Sequence, residues 1–152
     1  MPDIIHRIGV QAPPASVYRA LSTIDGLAGW WTRDTTGSPK VGEAIVFTFR
    51  DPAGTEVGRC EMEVLELSPN DQVRWRVKDG PPEWVGTTVS FALSEQDGMT
   101  ILLFGHRGWR EGVEFMAHCS MKWAVFLLSL RDFAAHGSGR PAPGDLKIDN
   151  WN

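Results

Sequence analysis

Few side chains in this chain have the type and spacing needed for chemistry. His106 is the most informative of them. It shares a strand face with Thr100, Leu102 and Phe104, while Ile101 and Leu103 argue for the opposite face. Turned inward, its imidazole could donate or accept a proton near the mouth of an apolar cavity, with Tyr18 or Glu83 as helpers. The plainer alternative, and the one preferred, is a strand-end histidine bonded to backbone. His118 and Lys122 share a helix face at i, i+4, but no third ligand accompanies them and no metal site is expected. Cys60 and Cys119 stand far apart, belong to no C-x-x-C pair, and read as small buried hydrophobes rather than metal ligands or a disulfide. No nucleophile elbow, zinc-protease helix motif, P-loop or dinucleotide turn occurs, so no cofactor is implied. Gly137-Ser138-Gly139 follows a helix and lies among prolines, out of place for a phosphate loop.

The elements that must position these residues follow from hydrophobic period. Ile4, His6, Ile8 and Val10 alternate with polar or small residues and mark a first strand. Pro14 suits the first turn of a helix carrying Val17, Leu21 and Ile24. Asp25 is placed as the cap of a second short helix, Leu27 to Trp31, and a loop punctuated by Gly37, Pro39 and Gly42 follows. Five strands come next: residues 44–50, 56–67, 72–78, 84–94 and 99–107, with turn signatures between them. Arg74, Arg76 and Lys78 face Arg59, Glu61 and Glu63 as cross-strand partners on a solvated face. From about Gly112 to His136 the period changes. Phe115, Met116, Cys119, Trp123, Phe126, Leu127, Leu130 and Phe133 form one helical stripe, which Gly137 ends.

The expected architecture is therefore α+β: a curved antiparallel sheet of about six strands, in the order β-α-α-β-β-β-β-β-α, wrapped around a long C-terminal helix. The chain of 152 residues is read as one domain over 1–145 with a polar, loose tail over 146–152. Its 15 Lys and Arg against 19 Asp and Glu leave −4, with no basic run, which argues against nucleic acid as a partner. No apolar run is long enough to insert in a membrane, and no leader is visible, so the cytoplasm is the expected address.

A sheet that closes on one helix tends to leave space between them. Trp30, Trp31, Phe47, Phe49, Met62, Trp75, Phe91, His106, Phe115, Cys119, Trp123 and Phe126 are the candidate wall residues. Two adjacent tryptophans on a short helix should not both enter one core. One of Trp30 and Trp31 is expected inside, with the other over the loop or stacked on a ligand.

This order of elements resembles the SRPBCC superfamily, also called START/Bet v 1-like or helix-grip. Within it the chain is similar to the activator of heat-shock-protein ATPase homologues. The likeness is carried by Val17-Tyr18-Arg19-Ala20-Leu21 leading to Leu27-Ala28-Gly29-Trp30-Trp31, and by Gly42 to Phe47. It continues in Trp84 to Phe91 and in Thr100 to Trp109 with His106-Arg107-Gly108-Trp109. Cys119, Trp123, Leu127 to Leu130 and Gly137 to Pro141 complete it. The resemblance implies a helix-grip fold, single-domain bacterial type, and a hydrophobic small molecule, lipid-like or aromatic, held in the cavity by a carrier or sensor. Other members of the superfamily are cyclases or hydratases, so an enzyme of cyclase, hydratase or hydrolase type is the second expectation. The family name implies a third, a chaperone-associated interaction module. The eukaryotic activator has an additional N-terminal domain that grips the chaperone, and this chain has the length of one domain. Monomer and homodimer are both open.

Overall fold

The computed structural model describes every residue from Met1 to Asn152. Strand β1 spans Ile4–Val10, helices α1 and α2 span Pro14–Ser22 and Ile24–Trp30, and β2 spans Asp34–Gly37. Strands β3 (Ala44–Arg50), β4 (Glu56–Ser68), β5 (Gln72–Asp79), β6 (Thr88–Gln96) and β7 (Met99–Arg107) follow, and α3 covers Glu114–His136. The strands form one sheet in the order β1-β7-β6-β5-β4-β3-β2. Every neighbouring pair in it is antiparallel.

The sheet has seven strands rather than six. Asp34-Thr35-Thr36-Gly37 has no apolar alternation to announce it, yet it pairs with β3 from Asp34↔Thr48 to Gly37↔Ile45. The free edge of β3 supplies the hydrogen-bonding partners that the local sequence does not advertise. β6 begins at Thr88, not at Trp84, because Pro81 to Gly86 form a turn closed by Trp84 N–H on the Pro81 carbonyl. The cap of α2 is Thr23, whose Oγ1 accepts from Gly26 N at 3.0 Å, and Asp25 lies inside the first turn instead.

Register shifts along β4, between Glu61 and Met62 and between Val64 and Glu66, bend the long central strand. Bulges of this kind curl a sheet, and the concave face receives α3. Inward residues alternate as the period predicts: Cys60, Met62 and Val64 on β4, Val73, Trp75 and Val77 on β5, Val89, Phe91 and Leu93 on β6. On the outer face Arg76 stands opposite Glu63, and Arg74 binds Glu66 at 3.0 Å. α3 ends at Gly137, which takes φ 82° and donates its N–H to Phe133. Past α3 the chain returns across the molecule. Ala142 N donates to Trp31 O at 2.8 Å, Arg33 N donates to Ala142 O at 3.1 Å, and the Asp145 side chain is fully buried. The first residues past α3 are thus tied to the domain through Ala142 and Asp145.

Candidate functional site

A concavity of about 520 Å³ lies along the N-terminal half of α3. One wall is the helix face Phe115, Cys119, Lys122, Trp123 and Phe126, whose i, i+3, i+4 spacing turns them all one way. The opposite wall is the end of the β3–β4 hairpin, from Phe49 to Pro52 and from Val57 to Cys60. Trp31 and the turn residue Trp84 close the interior, and Lys147 and Asp149 to Asn152 complete the rim.

Six of the twelve sequence-predicted wall residues face this space: Trp31, Phe49, Phe115, Cys119, Trp123 and Phe126. The other six, Trp30, Phe47, Met62, Trp75, Phe91 and His106, are packed in the core away from it. The division has a simple cause. Trp31 lies parallel to Trp75 with ring centroids 6.1 Å apart, and Phe47 packs on it at 4.2 Å. These rings pack over β5 and β6, and the cavity lies beyond them, over the hairpin end. Both adjacent tryptophans are inside, which overturns the expectation that only one could be. Trp30 closes α2 and sends its indole N–H to Ala20 O at 2.8 Å, while Trp31, already leaving the helix, stacks on it at 6.0 Å. The core surrounds that helix end on two sides, so consecutive side chains both find apolar partners.

His106 faces inward with no exposed surface. It is bonded to side chains, not to backbone. The indole N–H of Trp123 donates to His106 Nδ1 at 3.1 Å. An indole nitrogen is a donor only, so Nδ1 carries no proton and Nε2 must carry one. Nε2–H therefore donates to Thr87 Oγ1 at 2.8 Å, and Thr87 passes its own hydrogen to the Trp84 carbonyl at 2.5 Å. Burial holds the His106 pKa down at about 3. The imidazole is thus a neutral spacer linking Trp84 and Trp123, the two nearly parallel indoles (16°, 6.0 Å) at the cavity wall. A proton-shuttling role would need a free nitrogen, and both are engaged. The two other groups considered for proton transfer, Tyr18 and Glu83, do not line the cavity.

Burial pushes the Cys119 thiol up to about 12, opposed by the Trp84 indole and reinforced by the Glu83 carboxylate, and burial likewise raises Cys60. Both thiols are therefore protonated at neutral pH and poor nucleophiles. Lys122 Nζ lies 2.5 Å from Asp145 Oδ2 and 5.0 Å from the centre of the Phe126 ring. Burial raises the Asp145 carboxyl, but hydrogen bonds and charge from Lys122 and Lys147 outweigh it and hold the net value below the ordinary one. No group of three or more His, Cys, Asp or Glu side chains is arranged around a metal-sized point.

Sequence reasoning missed Trp84, Thr87 and the segment 147–152. The alternation around Trp84 reads as strand rather than turn, and the segment's contacts join residues 23 and 31 positions apart. The one available signal was the His118/Lys122 pair, whose partners are Asp149 and Asp145.

Residues 11–135 match the family described as activator of Hsp90 ATPase homolog 1-like protein. The chain belongs to that family. Among solved structures of the same fold, the Aha1 dimer from Colwellia psychrerythraea is 43% identical to this family member. It has a TM-score of 0.81 and covers 91% of this chain and 100% of that one. Protein MLL2253 from Mesorhizobium loti is similar at 21% identity and TM-score 0.71, over 86% of this chain and 95% of its own. DynU16, a protein of the dynemicin biosynthetic locus, matches at 20% identity and TM-score 0.71, over 90% of this chain and 48% of that one. The last two likenesses establish the helix-grip fold and no more. No curated protein matches the family member significantly. None of its helices is long and apolar enough to cross a membrane.

Proposed function

We propose that this family member holds a hydrophobic small molecule, aromatic or lipid-like, in the cavity along the N-terminal half of α3, as a carrier or sensor. One observation carries the reading: about 520 Å³ of space walled by Trp31, Phe49, Trp84, Phe115, Trp123 and Phe126. Its size is that of ordinary ligand sites, roughly 300–1,000 Å³, which are mostly apolar with few polar groups. The rigid His106 relay behind Trp84 and Trp123 favours a binding surface prepared in advance, which lowers the ordering cost of association. The presence of a same-fold neighbour in a biosynthetic locus fits a role in small-molecule metabolism. An environment-sensitive apolar dye, displaced by a panel of fatty acids, sterols, flavonoids and aromatic polyketides, tests the proposal. Saturable displacement by one class would identify the ligand chemistry, whereas an absence of saturable dye binding would sink the reading.

The dimeric Colwellia relative favours homodimerisation as well. Exposed Ile5 and Leu103 on the outer face of β1 and β7 would suit a protein contact, with a chaperone as the partner the family name suggests. Sedimentation equilibrium distinguishes monomer from dimer. An Hsp90 ATPase assay with and without the chain tests the chaperone partner, and an unchanged rate would dismiss it.

A further inference from the structure

The segment that follows α3 is attached to the body in two grades. Its inner part is fixed by backbone at Ala142 and by a buried ion pair at Asp145. Lys122 reaches both Asp145 Oδ2 at 2.5 Å and the Leu146 carbonyl at 3.0 Å. Lys147 adds a contact to Asp145 Oδ1 at 3.2 Å. Past Lys147 no backbone hydrogen bond reaches the rest of the protein. Ile148 N bonds to Asn152 O and Asn152 N to Asp149 O, both within the segment. What holds this outer part is a pair of side-chain contacts one helical turn from Lys122. His118 Nδ1 meets Asp149 Oδ2 at 2.7 Å, and the Trp151 ring packs on His118 at 5.4 Å and on Phe115 at 6.4 Å. Trp151 remains 50% exposed and the Asp149 side chain 37% exposed, so the outer contacts are weak where the inner ones are buried.

Asp149, Asn150, Trp151 and Asn152 are at the same time wall residues of the cavity. We infer that residues 148–152 are a strap that gates the cavity, hinged beyond Lys147 and latched by Asp149 and Trp151 onto His118 and Phe115. The inference rests on the cavity reading for its purpose but not for its test. His118 and Lys122, the i, i+4 pair that no metal explains, are then the latch and the hinge anchor of one device. The hinge anchor is buried and the latch is not, so opening can occur without disturbing the core.

The two free cysteines report the opening directly. Cys119 is on the helix wall beside Phe115 and His118, and Cys60 is on the opposite wall; both line the cavity and are almost completely buried. Iodoacetamide labelling of each thiol would be followed by mass spectrometry in the wild type, in Asp149→Asn and in Asp149→Asn with Trp151→Ala. The His118–Asp149 hydrogen bond, whose carboxylate is 37% exposed, is worth up to about a fivefold shift in the opening equilibrium, and loss of the aromatic contacts brings the double variant to about tenfold. Labelling of Cys119 and Cys60 should accelerate by those factors while the urea unfolding midpoint stays close to wild type. Unchanged labelling, or acceleration that only tracks global unfolding in urea, overturns the strap. Stopped-flow association of 1-anilinonaphthalene-8-sulfonate separates this from the cavity reading. Faster labelling without dye binding leaves the strap standing and removes the ligand. Saturable dye binding with unchanged labelling does the reverse.

Discussion

The neutral state of His106 can be tested by titrating folding stability. In the unfolded chain a histidine takes up a proton near pH 6.5, whereas in the fold His106 does so only near about 3. The folded pKa is depressed. Neutral His106 therefore leaves stability intact above about pH 6.5, and that stability is lost as pH falls from there towards the folded value, because only the unfolded state gains the proton. Between about pH 7.5 and about pH 4.5 the loss works out at roughly 3 kcal/mol from this one group. Because the imidazole is fully buried, solvent screening does not reduce the figure. Carboxylates also titrate in that range, so a reference variant is needed. His106→Gln keeps the pattern without the titration: its carbonyl can accept from Trp123 and its amide can donate to Thr87. Urea unfolding of both proteins at both pH values gives two losses. The wild-type loss should exceed that of the variant by roughly 3 kcal/mol. Losses equal to within about 0.5 kcal/mol would refute a His106 held neutral by the fold.

Three further substitutions probe the surroundings of the cavity. Lys122→Met leaves the buried Asp145 carboxylate with only Lys147, and a cost of about 3 kcal/mol in urea unfolding is expected. Asp145 should lose its depressed pKa in that variant, observable by carbon-detected NMR. Ser129→Ala removes the hydroxyl that donates to Trp30 O and accepts from Arg140 N, each at under 3 Å, and should cost about 1–3 kcal/mol without altering dye binding. Cys119→Trp enlarges a buried side chain of the cavity wall so that the indole occupies the cavity. It should abolish dye binding at a cost of about 1–3 kcal/mol in stability, whereas unimpaired binding by the folded variant would move the ligand elsewhere.

The neighbours in these networks explain why some of the site was readable from sequence and some was not. Phe115, Cys119, Trp123 and Phe126 were legible as one face because helical period encodes direction. Phe49 was legible because strand period does the same. Period does not say whether an inward side chain meets another side chain or empty space. Phe47 and Phe49 are two residues apart on one strand and equally inward by pattern. Trp31 packs on the first at 4.2 Å, and only the second reaches the cavity. His106 shows the same limit. Its strand face was ambiguous between Leu102 and Leu103, and its partners Thr87 and Trp123 are 19 and 17 residues away.

By itself the sequence determined the order of every element but β2, the antiparallel sheet, the long final helix and the family. Each of these follows from short-range period, turn chemistry or motif. Tertiary structure alone decided the seventh strand, the burial of both Trp30 and Trp31, the locking of His106, and the place of residues 145–152 against α3. In each case the deciding partner lies far along the chain. β2 forms because β3 offers a free edge, and Asp145 is buried because Lys122 waits for it on the helix. Contacts of that kind gain their free energy only once the fold has brought the partners together, so no local stretch of residues records them.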